Sequence, residues 1–307
     1  MRCRAAASPR TVTNHSPLPT PFRFPAHIPP VNQGVVVTGA SSGIGAAIAR
    51  DLAARSFRVF GTVRREQDDA PLEAAHVVPV LMDVTDAASI ARARDEVTRA
   101  LAGAPLAALV NNAGIPSAGP LELVPLDQLR HVLEVNLVGA VAVTQAFLPL
   151  LKAACGRIVN ISSVAGRGAL PFMGPYAASK FALEGASDSL RRELRPFGVR
   201  VIVVQPGSVQ SRIWEKVERW DLSSYRGTPY ERVMQRFRDL ALRSGQRGLP
   251  AERVARAVAK ALTARRPPLR ILVVESQLGY RLMELLPDRL MDWLIERVLW
   301  KKAGSGR

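Results

Sequence analysis

VVVTGASSGIG, residues 35–45, joins a short β-branched strand to a glycine-rich turn and then to the start of a helix. Glycine lets the backbone approach a ligand closely, and the N–H groups and positive end of the helix face whatever lies at such a turn. The spacing G-x-x-x-G-x-G differs from the common G-x-G-x-x-G pattern, but its position at a first strand-to-helix turn indicates a pyrophosphate site. The residues predicted to form this site are Gly39, Ser41, Ser42, Gly43, Ile44 and Gly45.

Downstream of this turn, short β-branched runs alternate with longer stretches of helical periodicity, which predicts a parallel sheet with helices on both faces. The predicted strands are Val35–Thr38, Arg58–Val63, Val77–Met82, Ala107–Asn111, Arg157–Ser162, Val199–Gln205 and Ile271–Glu275. Helices are predicted near Gly43–Arg55, Ala87–Leu101, Asp127–Ala154, Tyr176–Leu194 and Ala251–Thr263. Such an alternation makes a single α/β domain of the Rossmann type, with a doubly wound parallel sheet of about seven strands.

The composition of the 307-residue chain narrows its class. An apolar fraction of 48% is ample for a packed core. The formal charge of +16 comes from arginines scattered among acids, without basic blocks, which argues against nucleic acid as a partner. No zinc-ligand spacing occurs, so no metal is expected. Because only Cys3 and Cys155 are present, a disulfide framework is excluded and a cytoplasmic location is expected.

The ends of the chain are predicted to lie outside the catalytic domain, which we place at residues 34–276. Residues 1–33 are rich in proline and arginine and contain no acid, so we expect a disordered leader, with a transit peptide as the second interpretation. Residues 211–248 match no strand and carry several aromatic residues, which is typical of an insertion that covers a site. Residues 277–307 form a tail with an amphipathic helix interrupted at Pro287. We expect it to dock on its own domain or on a twin subunit rather than on a membrane.

The most apolar part of the predicted third long helix is the charge-free run Val135–Leu151. It is short for a membrane-spanning segment and contains several polar residues and a proline. We therefore interpret it as a buried helix.

Tyr176 and Lys180 are a phenol and an amine spaced four residues apart on a predicted helix. Residues at i and i+4 lie on the same helical face, so the two groups are neighbours in a pair suited to proton transfer. The same spacing also arises by chance, with a packed ring and a solvated lysine. The functional interpretation therefore depends on the other motifs of the chain.

Val63-Arg64-Arg65 follows the second predicted strand, where dinucleotide sites for NAD usually place an acid. Arginine binds a phosphate in bidentate fashion, so Arg64 is predicted to contact the 2′-phosphate of NADP(H). The sequence thus favours NADP(H) over NAD(H). The alternative is that the two arginines simply lie on a solvated loop.

From Val35 to Glu275 the chain resembles the short-chain dehydrogenase/reductase family, with the hydroxysteroid and retinol dehydrogenases as the most similar members. The motifs that carry the resemblance are Thr38–Gly45, Asp83-Val84, Asn111-Asn112-Ala113-Gly114, Asn136, Ser163, Tyr176, Lys180 and Pro206-Gly207. The resemblance implies an oxidoreductase that interconverts a ketone or aldehyde and an alcohol. It also implies a homodimer or homotetramer, with subunits meeting through the Asp127–Ala154 and Tyr176–Leu194 helices.

The resemblance assigns further residues to the cofactor. Asp83 and Val84 are expected at the adenine, and Asn111, Ala113 and Gly114 under the cofactor at the sheet edge. On the nicotinamide side the expected residues are Pro206, Gly207, Val209 and Ser211. Ser211 stands where the family usually has threonine, which keeps the hydroxyl and loses a methyl group.

The resemblance also assigns catalytic roles. Ser163, thirteen residues before Tyr176, is expected to bind the substrate oxygen, with Ser162 as the fallback. Tyr176 supplies the proton, and we expect the Lys180 ammonium to lower the phenol pKa and to hold the nicotinamide ribose. Asn136 either holds a water molecule that links Lys180 to solvent or is a satisfied core amide.

The expected substrate is bulky and apolar, because the aromatic insertion and the segment Leu170-Pro171-Phe172-Met173 flank the predicted site. Two other functions stay open from the sequence. One is a non-catalytic dinucleotide-sensing scaffold, against which the intact Ser163, Tyr176 and Lys180 argue. The other is a membrane-surface protein that uses the tail helix.

Overall fold

The computed structural model describes residues 33–68, 70–210 and 213–300. Its centre is a seven-stranded parallel sheet with the order β3-β2-β1-β4-β5-β6-β7. The strands are β1 Gly34–Val37, β2 Arg58–Val63, β3 Val78–Leu81, β4 Leu106–Asn111, β5 Arg157–Ile161, β6 Arg200–Pro206 and β7 Arg270–Val273. Each predicted strand is confirmed to within one or two residues. The predicted leader lies outside the described residues, apart from residue 33.

The helices flank this sheet. They are α1 Gly43–Ala54, α2 Ala70–Glu73, α3 Ala87–Leu101, α4 Leu126–Leu133, α5 Gly139–Ala153, α6 Gly174–Leu194, α7 Ile213–Glu218, α8 Glu231–Gln246, α9 Ala251–Thr263, α10 Gln277–Glu284 and α11 Asp288–Leu299. The five predicted long helices are all present. The predicted Asp127–Ala154 helix contains a π-helical turn, Glu134–Val138, between α4 and α5.

β1 shows how the two faces of the sheet are covered. Its four residues are all buried, as expected of a parallel strand with helices on both sides. Side chains alternate along a strand, so Val35 and Val37 pack with α1 and α9, whereas Val36 packs with α3 and α5. A β-branched run therefore specifies a central strand with two apolar faces.

The helical run Leu126–Ala153 covers one face of the sheet. By length and composition alone it would be able to cross a membrane, and it is the one such helix in the described part of the chain. Apolar core helices meet the same criterion. Here Val143, Phe147 and Leu151 are fully buried in the apolar layer against the sheet, whereas Val138 is nearly half exposed, so the predicted buried helix is buried along one face.

A separate apolar cluster, here called the cap, lies beyond the sheet. Its buried members are Phe172, Val233, Met234, Phe237 and Leu299. Helix α8 of the predicted insertion and α11 of the tail thus meet on the loop before α6. The tail helix is interrupted at Pro287 as predicted, and α11 docks on its own domain through Leu299. In contrast, Leu278 and Leu285 at α10 are exposed.

The strand order reverses between β1 and β4, the central pair of the sheet. At such a switch point the loops leaving the carboxyl ends of the two strands run in opposite directions and leave a crevice, where ligands of open α/β sheets bind. The fold thus places the glycine-rich turn after β1 beside the Asn-Asn-Ala-Gly segment after β4.

Candidate active site

The glycine-rich turn has a backbone that other residues adopt poorly. Gly39 and Gly43 have positive φ angles of +66° and +55°, which carry a steric penalty for side chains with a Cβ atom. A Cβ atom at Gly45 would overlap the carbonyl group of Gly39 and the side-chain amide of Asn112. Ser42 is the N-cap of α1, yet its side chain makes no capping hydrogen bond. The first N–H groups of α1 therefore suit an anionic group, and the pyrophosphate site stays a prediction.

Hydrogen bonds hold this turn to the end of β4. Thr38 Oγ1 accepts bonds from the backbone N–H groups of Asn112 and Ala113, both at 2.9 Å. The Asn112 amide donates to the carbonyl oxygens of Thr38 and Gly39 at 2.9 and 3.2 Å. Thr38 belongs to the predicted turn motif without an assigned role, and Asn112 to the segment Asn111–Gly114 that the resemblance places under the cofactor. The sequence feature that could have predicted these hydrogen bonds is a threonine and an asparagine beside two adjacent sheet-edge turns.

Asn111 lies inside the fold. Its Nδ2 donates to Thr144 Oγ1 and Asn160 Oδ1, both at 2.9 Å, and Asn160 donates in turn to Ser187. These bonds join β4 and β5 to helices α5 and α6. The side chain of Asn111 thus fixes the strands, while the predicted cofactor contacts of Ala113 and Gly114 concern the loop that follows.

Arg64 and Asp83 follow β2 and β3, which are neighbours in the sheet. Asp83 accepts bonds from the backbone and hydroxyl of Thr85 at 2.8 and 2.7 Å, and these bonds, more than the charge of Arg64, lower the pKa of its carboxyl group. Arg64 itself is exposed. Val84 is buried and packs against Gly139 of α5. The structure thus brings Arg64 and Asp83 together at the edge of the crevice.

Ser163 begins the short turn after β5. Its Oγ accepts a bond from the N–H of Ala165 at 3.1 Å, donates a long bond of 3.5 Å to the carbonyl oxygen of Pro206, and interacts with the Tyr176 hydroxyl. Ser162, the fallback, is buried, and its Oγ has no hydrogen-bond partner within the described residues. Ser163 is therefore the serine that faces the predicted proton donor.

Tyr176 and Lys180 lie on one face of α6, as the i,i+4 spacing predicted. The ammonium nitrogen of Lys180 is 5.7 Å from the centre of the Tyr176 ring and donates to the carbonyl oxygen of Ile161 at 2.9 Å. Lys180 is buried, with 5% of its surface exposed. The pair is therefore not a packed ring beside a solvated lysine.

The predicted pKa shift of Tyr176 is wrong. Burial raises the phenol pKa, and this effect outweighs the opposing hydrogen bond from Ser163; Lys180 is not among the causes. A low-dielectric surrounding disfavours phenolate, whereas it favours the neutral form of an amine. Accordingly, burial lowers the pKa of Lys180 to about 8, against the opposing charge of Glu184. At neutral pH, Tyr176 is thus protonated and Lys180 mostly charged.

Asn136 is a satisfied buried amide. Its Oδ1 accepts from the N–H of Ile115 at 2.8 Å, and its Nδ2 donates to the Ile115 carbonyl oxygen and to Ser179 Oγ, both at 3.0 Å. A Cβ atom on Gly114 would lie 3.2 Å from Asn136 Oδ1 and 3.7 Å from Lys180 Nζ. Asn136 therefore shapes the loop next to Lys180. The role in holding a water molecule stays a prediction.

The segment after β6 borders the same site. The Pro206 carbonyl oxygen faces Ser163, and the Gly207 N–H donates to the carbonyl oxygen of Val273 at 3.0 Å. Val209 accepts a bond from Trp214 Nε1 at 2.7 Å, which ties α7 to this segment. Ser211 lies outside the described residues.

The arrangement as a whole places a protonated phenol, a serine hydroxyl and a buried ammonium at the carboxyl ends of the central strands. They lie at the same edge of the sheet as a turn suited to a phosphate group. A proton donor and a hydrogen-bond donor that converge on one point are what the reduction of a carbonyl group requires.

Known proteins of one family are similar to this chain in sequence. The model of the short chain dehydrogenase family matches residues 33–222. NADPH-dependent 3-dehydrocapnine reductase of Ornithobacterium rhinotracheale is 36% identical, with 87% of this chain and 97% of that protein covered. Human retinol dehydrogenase 5 is 34% identical, over 90% and 92% of the two chains. 17-beta-hydroxysteroid dehydrogenase type 6 of Bos taurus is 35% identical, over 88% and 90%.

Solved structures share the fold. A short-chain dehydrogenase from Burkholderia cenocepacia in complex with NADP has a TM-score of 0.68 and 27% identity, over 89% of this chain and 99% of that chain. One from Burkholderia phymatum in complex with NAD has a TM-score of 0.74 and 23% identity, over 87% and 96%, which shows the fold alone.

Proposed function

We propose that this protein is an NADP(H)-dependent oxidoreductase that acts on a bulky apolar ketone or aldehyde and the corresponding alcohol. The chain belongs to the short-chain dehydrogenase/reductase family. Membership carries the coarser part of this statement, oxidoreduction of CH–OH and C=O groups. The choice of NADP(H), the role of Tyr176 and the type of substrate are the proposal. The observation that supports it most is the convergence of Ser163, Tyr176 and Lys180 beside the glycine-rich turn.

In the proposed reaction the residues of this chain position the carbonyl group and deliver a proton to its oxygen. The turn Gly39–Gly45 and Arg64 would hold NADPH, which would supply the hydride for the carbonyl carbon when bound. Ser163 donates a hydrogen bond to the carbonyl oxygen and so stabilises the negative charge that develops there. Tyr176 transfers its proton to the same oxygen. Because burial raises its pKa, the phenol is protonated at neutral pH and can act as the proton donor.

Lys180 supports this proton transfer. Its ammonium group is fixed by the carbonyl oxygen of Ile161 at the end of β5. In the proposed reaction its positive charge stabilises the phenolate that forms once Tyr176 has given up its proton, whereas burial sets the pKa of the phenol before the transfer. We propose that the cofactor ribose is the second partner of this ammonium group.

The cap supports a bulky apolar substrate. Phe172, in the loop before Tyr176, contacts Tyr230, Phe237 and Trp300 with ring centres 5.5–6.3 Å apart. The loop that precedes α6 is therefore part of the aromatic contacts of the cap. Oxidation of NADPH in the presence of steroid, retinoid, fatty-acyl and small quinone carbonyls tests the substrate class, and faster turnover of the small carbonyls would refute it.

Replacement of Arg64 tests the cofactor preference. Loss of a charged hydrogen bond to phosphate costs about 1.5–3 kcal/mol, so Arg64→Ala should weaken NADPH binding roughly 10- to 100-fold and leave NADH binding unchanged. Arg65→Ala, with the adjacent arginine removed, is the matched control and should bind NADPH as the wild type does. Equal Michaelis constants and turnover for NADPH and NADH in the wild type would contradict the preference.

We also propose a cytoplasmic homodimer or homotetramer. Val138, in the π-helical turn between α4 and α5, and Phe181 on α6 are nearly half exposed. They supply apolar surface on the helices through which subunits are expected to meet. A concentration-independent monomer mass by light scattering would contradict the assembly.

A further inference from the structure

Glu184 is a buried carboxylate that the proposed reaction does not use. It lies one helical turn after Lys180 on α6, and only 6% of its surface is exposed. Its Oε1 accepts a bond from Gln205 Nε2 and its Oε2 from Arg270 Nε, both at 2.9 Å. Because removing a carboxylate from water is costly, a buried one with few partners needs a structural or functional reason.

The surroundings of Glu184 include the chain segments that carry the catalytic groups. A Cβ atom on Gly166, in the turn that starts at Ser163, would lie 3.2 Å from both Glu184 Cγ and the Lys180 carbonyl oxygen. Gln205, which Glu184 binds, directly precedes Pro206, whose carbonyl oxygen faces Ser163. Glu184 thus lies beside the turn that follows β5 and binds Gln205 near the end of β6, where the two chain segments leave the sheet for the site.

Glu184 and Lys180 are both buried and are spaced i,i+4 on α6, so they lie on one face of the helix, where opposite charges attract each other. The buried ammonium of Lys180 is disfavoured by desolvation, and the charge of Glu184 opposes that effect. The other charged or titratable groups around Glu184 are Asp188 on α6, Arg270 on β7 and Tyr280 on α10. Arg270 binds both carboxylates, at 2.9 Å for Glu184 and 3.1 Å for Asp188. Arg270 therefore weakens the electrostatic effect of the Glu184 carboxylate on Lys180.

We propose that Glu184 is the positioning residue that keeps Lys180 charged and seated at the end of β5, with Arg270 setting the strength of this effect. The inference rests on the proposed function where it concerns turnover, since turnover is what requires the charged Lys180. The coupling between the two side chains does not depend on the reaction.

Glu184→Gln removes the charge and keeps the size of the side chain. NMR of the protein labelled with ¹³C at the lysine Cε atoms, with Lys180→Arg for assignment, reports the pKa of Lys180 directly. From about 8 in the wild type, it should fall by about one unit in Glu184→Gln, because an opposite charge nearby favours the protonated amine. The pH at which kcat/KM declines on the alkaline side should fall with it.

Two further variants distinguish this coupling from a general loss of charge or of fold. Asp188→Asn, one turn further along α6, removes another carboxylate bound to Arg270 and should lower the pKa of Lys180 by much less than Glu184→Gln does, because Glu184 keeps its charge. Arg270→Gln should raise it, because Glu184 then acts without its neutralising partner. This opposite shift provides a test even where Glu184→Gln does not fold.

An unchanged pKa of Lys180 in both Glu184→Gln and Arg270→Gln, or an equal drop in Asp188→Asn, would overturn the proposal. If the NMR shifts occur while the wild type reduces none of the carbonyls, the proposed function fails and the coupling of Glu184 to Lys180 is upheld. The two proposals are therefore separable in one set of experiments.

Discussion

The cofactor turn and the cap are held together in different ways. At the turn, short polar contacts join β1 to β4 through Thr38 and Asn112, and glycines leave no room for added atoms. The cap is an apolar cluster of Phe172, Phe237 and Leu299 and their neighbours, with aromatic rings at edge-to-face and stacked angles. One region is specified by individual hydrogen bonds, and the other by the total apolar surface that it buries.

This difference indicates which region tolerates change. A hydrogen-bonded turn depends on single atoms, because a lost partner leaves a buried polar group unsatisfied. An apolar cluster accepts other side chains of similar volume at small cost. The cap is therefore suited to altering substrate range while the turn and the catalytic groups keep the chemistry.

The largest effect is expected for Tyr176→Phe. Loss of a positioned proton donor should reduce turnover about 10²- to 10⁴-fold, while NADPH binding persists. Tyr230→Phe removes a phenol hydroxyl from the cap and is the matched control, with turnover close to that of the wild type. Steady-state kinetics and NADPH fluorescence titration measure both. An equal loss of turnover in the two variants would remove the distinction between site and cap.

Phe237→Ala should have the next largest effect, and it should be confined to the cap. Phe237 is buried and contacts Phe172 and Trp220, so truncation should cost about 3–5 kcal/mol of stability. Hydrogen exchange should increase in α8, and the KM for bulky carbonyls should rise with NADPH affinity unchanged. Phe237→Leu, which keeps most of the volume, should restore much of the protection. A fall in NADPH affinity would show that cap and turn are coupled.

Gly45→Ala tests the turn from the opposite direction, by adding one methyl group. The added Cβ atom would overlap the Gly39 carbonyl group and the Asn112 amide, and such overpacking costs about 1–3 kcal/mol. Thermal unfolding should show this loss together with weaker NADPH binding. Normal stability with normal NADPH binding would contradict the tight contact between the turn and β4.

Gly185→Ala is the matched control and carries the smallest effect. Gly185 lies in the interior of α6, is exposed, and has open space around a Cβ atom. Alanine should stabilise the helix by about 0.5–1 kcal/mol, because glycine loses more backbone entropy there. A higher Tm with unchanged kinetics is expected. A loss of stability would show that the space above this glycine is occupied in solution, as by a second subunit.

Much of the fold followed from local pattern. The seven strands were predicted because β-branched runs mark buried parallel strands, and the helices because their apolar periodicity is visible in any window of the chain. The π-helical turn at Asn136 was not predicted, since nothing in a helical period distinguishes one widened turn. The cap was predicted only as an aromatic insertion, because its contacts join Phe172 to residues far along the chain.

The site divides in the same way. Ser163, Tyr176 and Lys180 were found from their order and spacing, and α6 places the last two on one face as a helix must. By itself the sequence determined the seven strands along the chain, the glycine-rich turn and the pair of proton-transfer side chains, because these depend on neighbours within a few residues.

Only the tertiary structure decided the electrostatics and the long-range bonds. Whether Tyr176 becomes more or less acidic depends on how deeply α6 packs, and burial raises its pKa against the opposing hydrogen bond from Ser163. The bond between Glu184 and Arg270 joins residues 86 positions apart. Desolvation and contact between distant segments exist only once the chain has folded, so no local spacing encodes them.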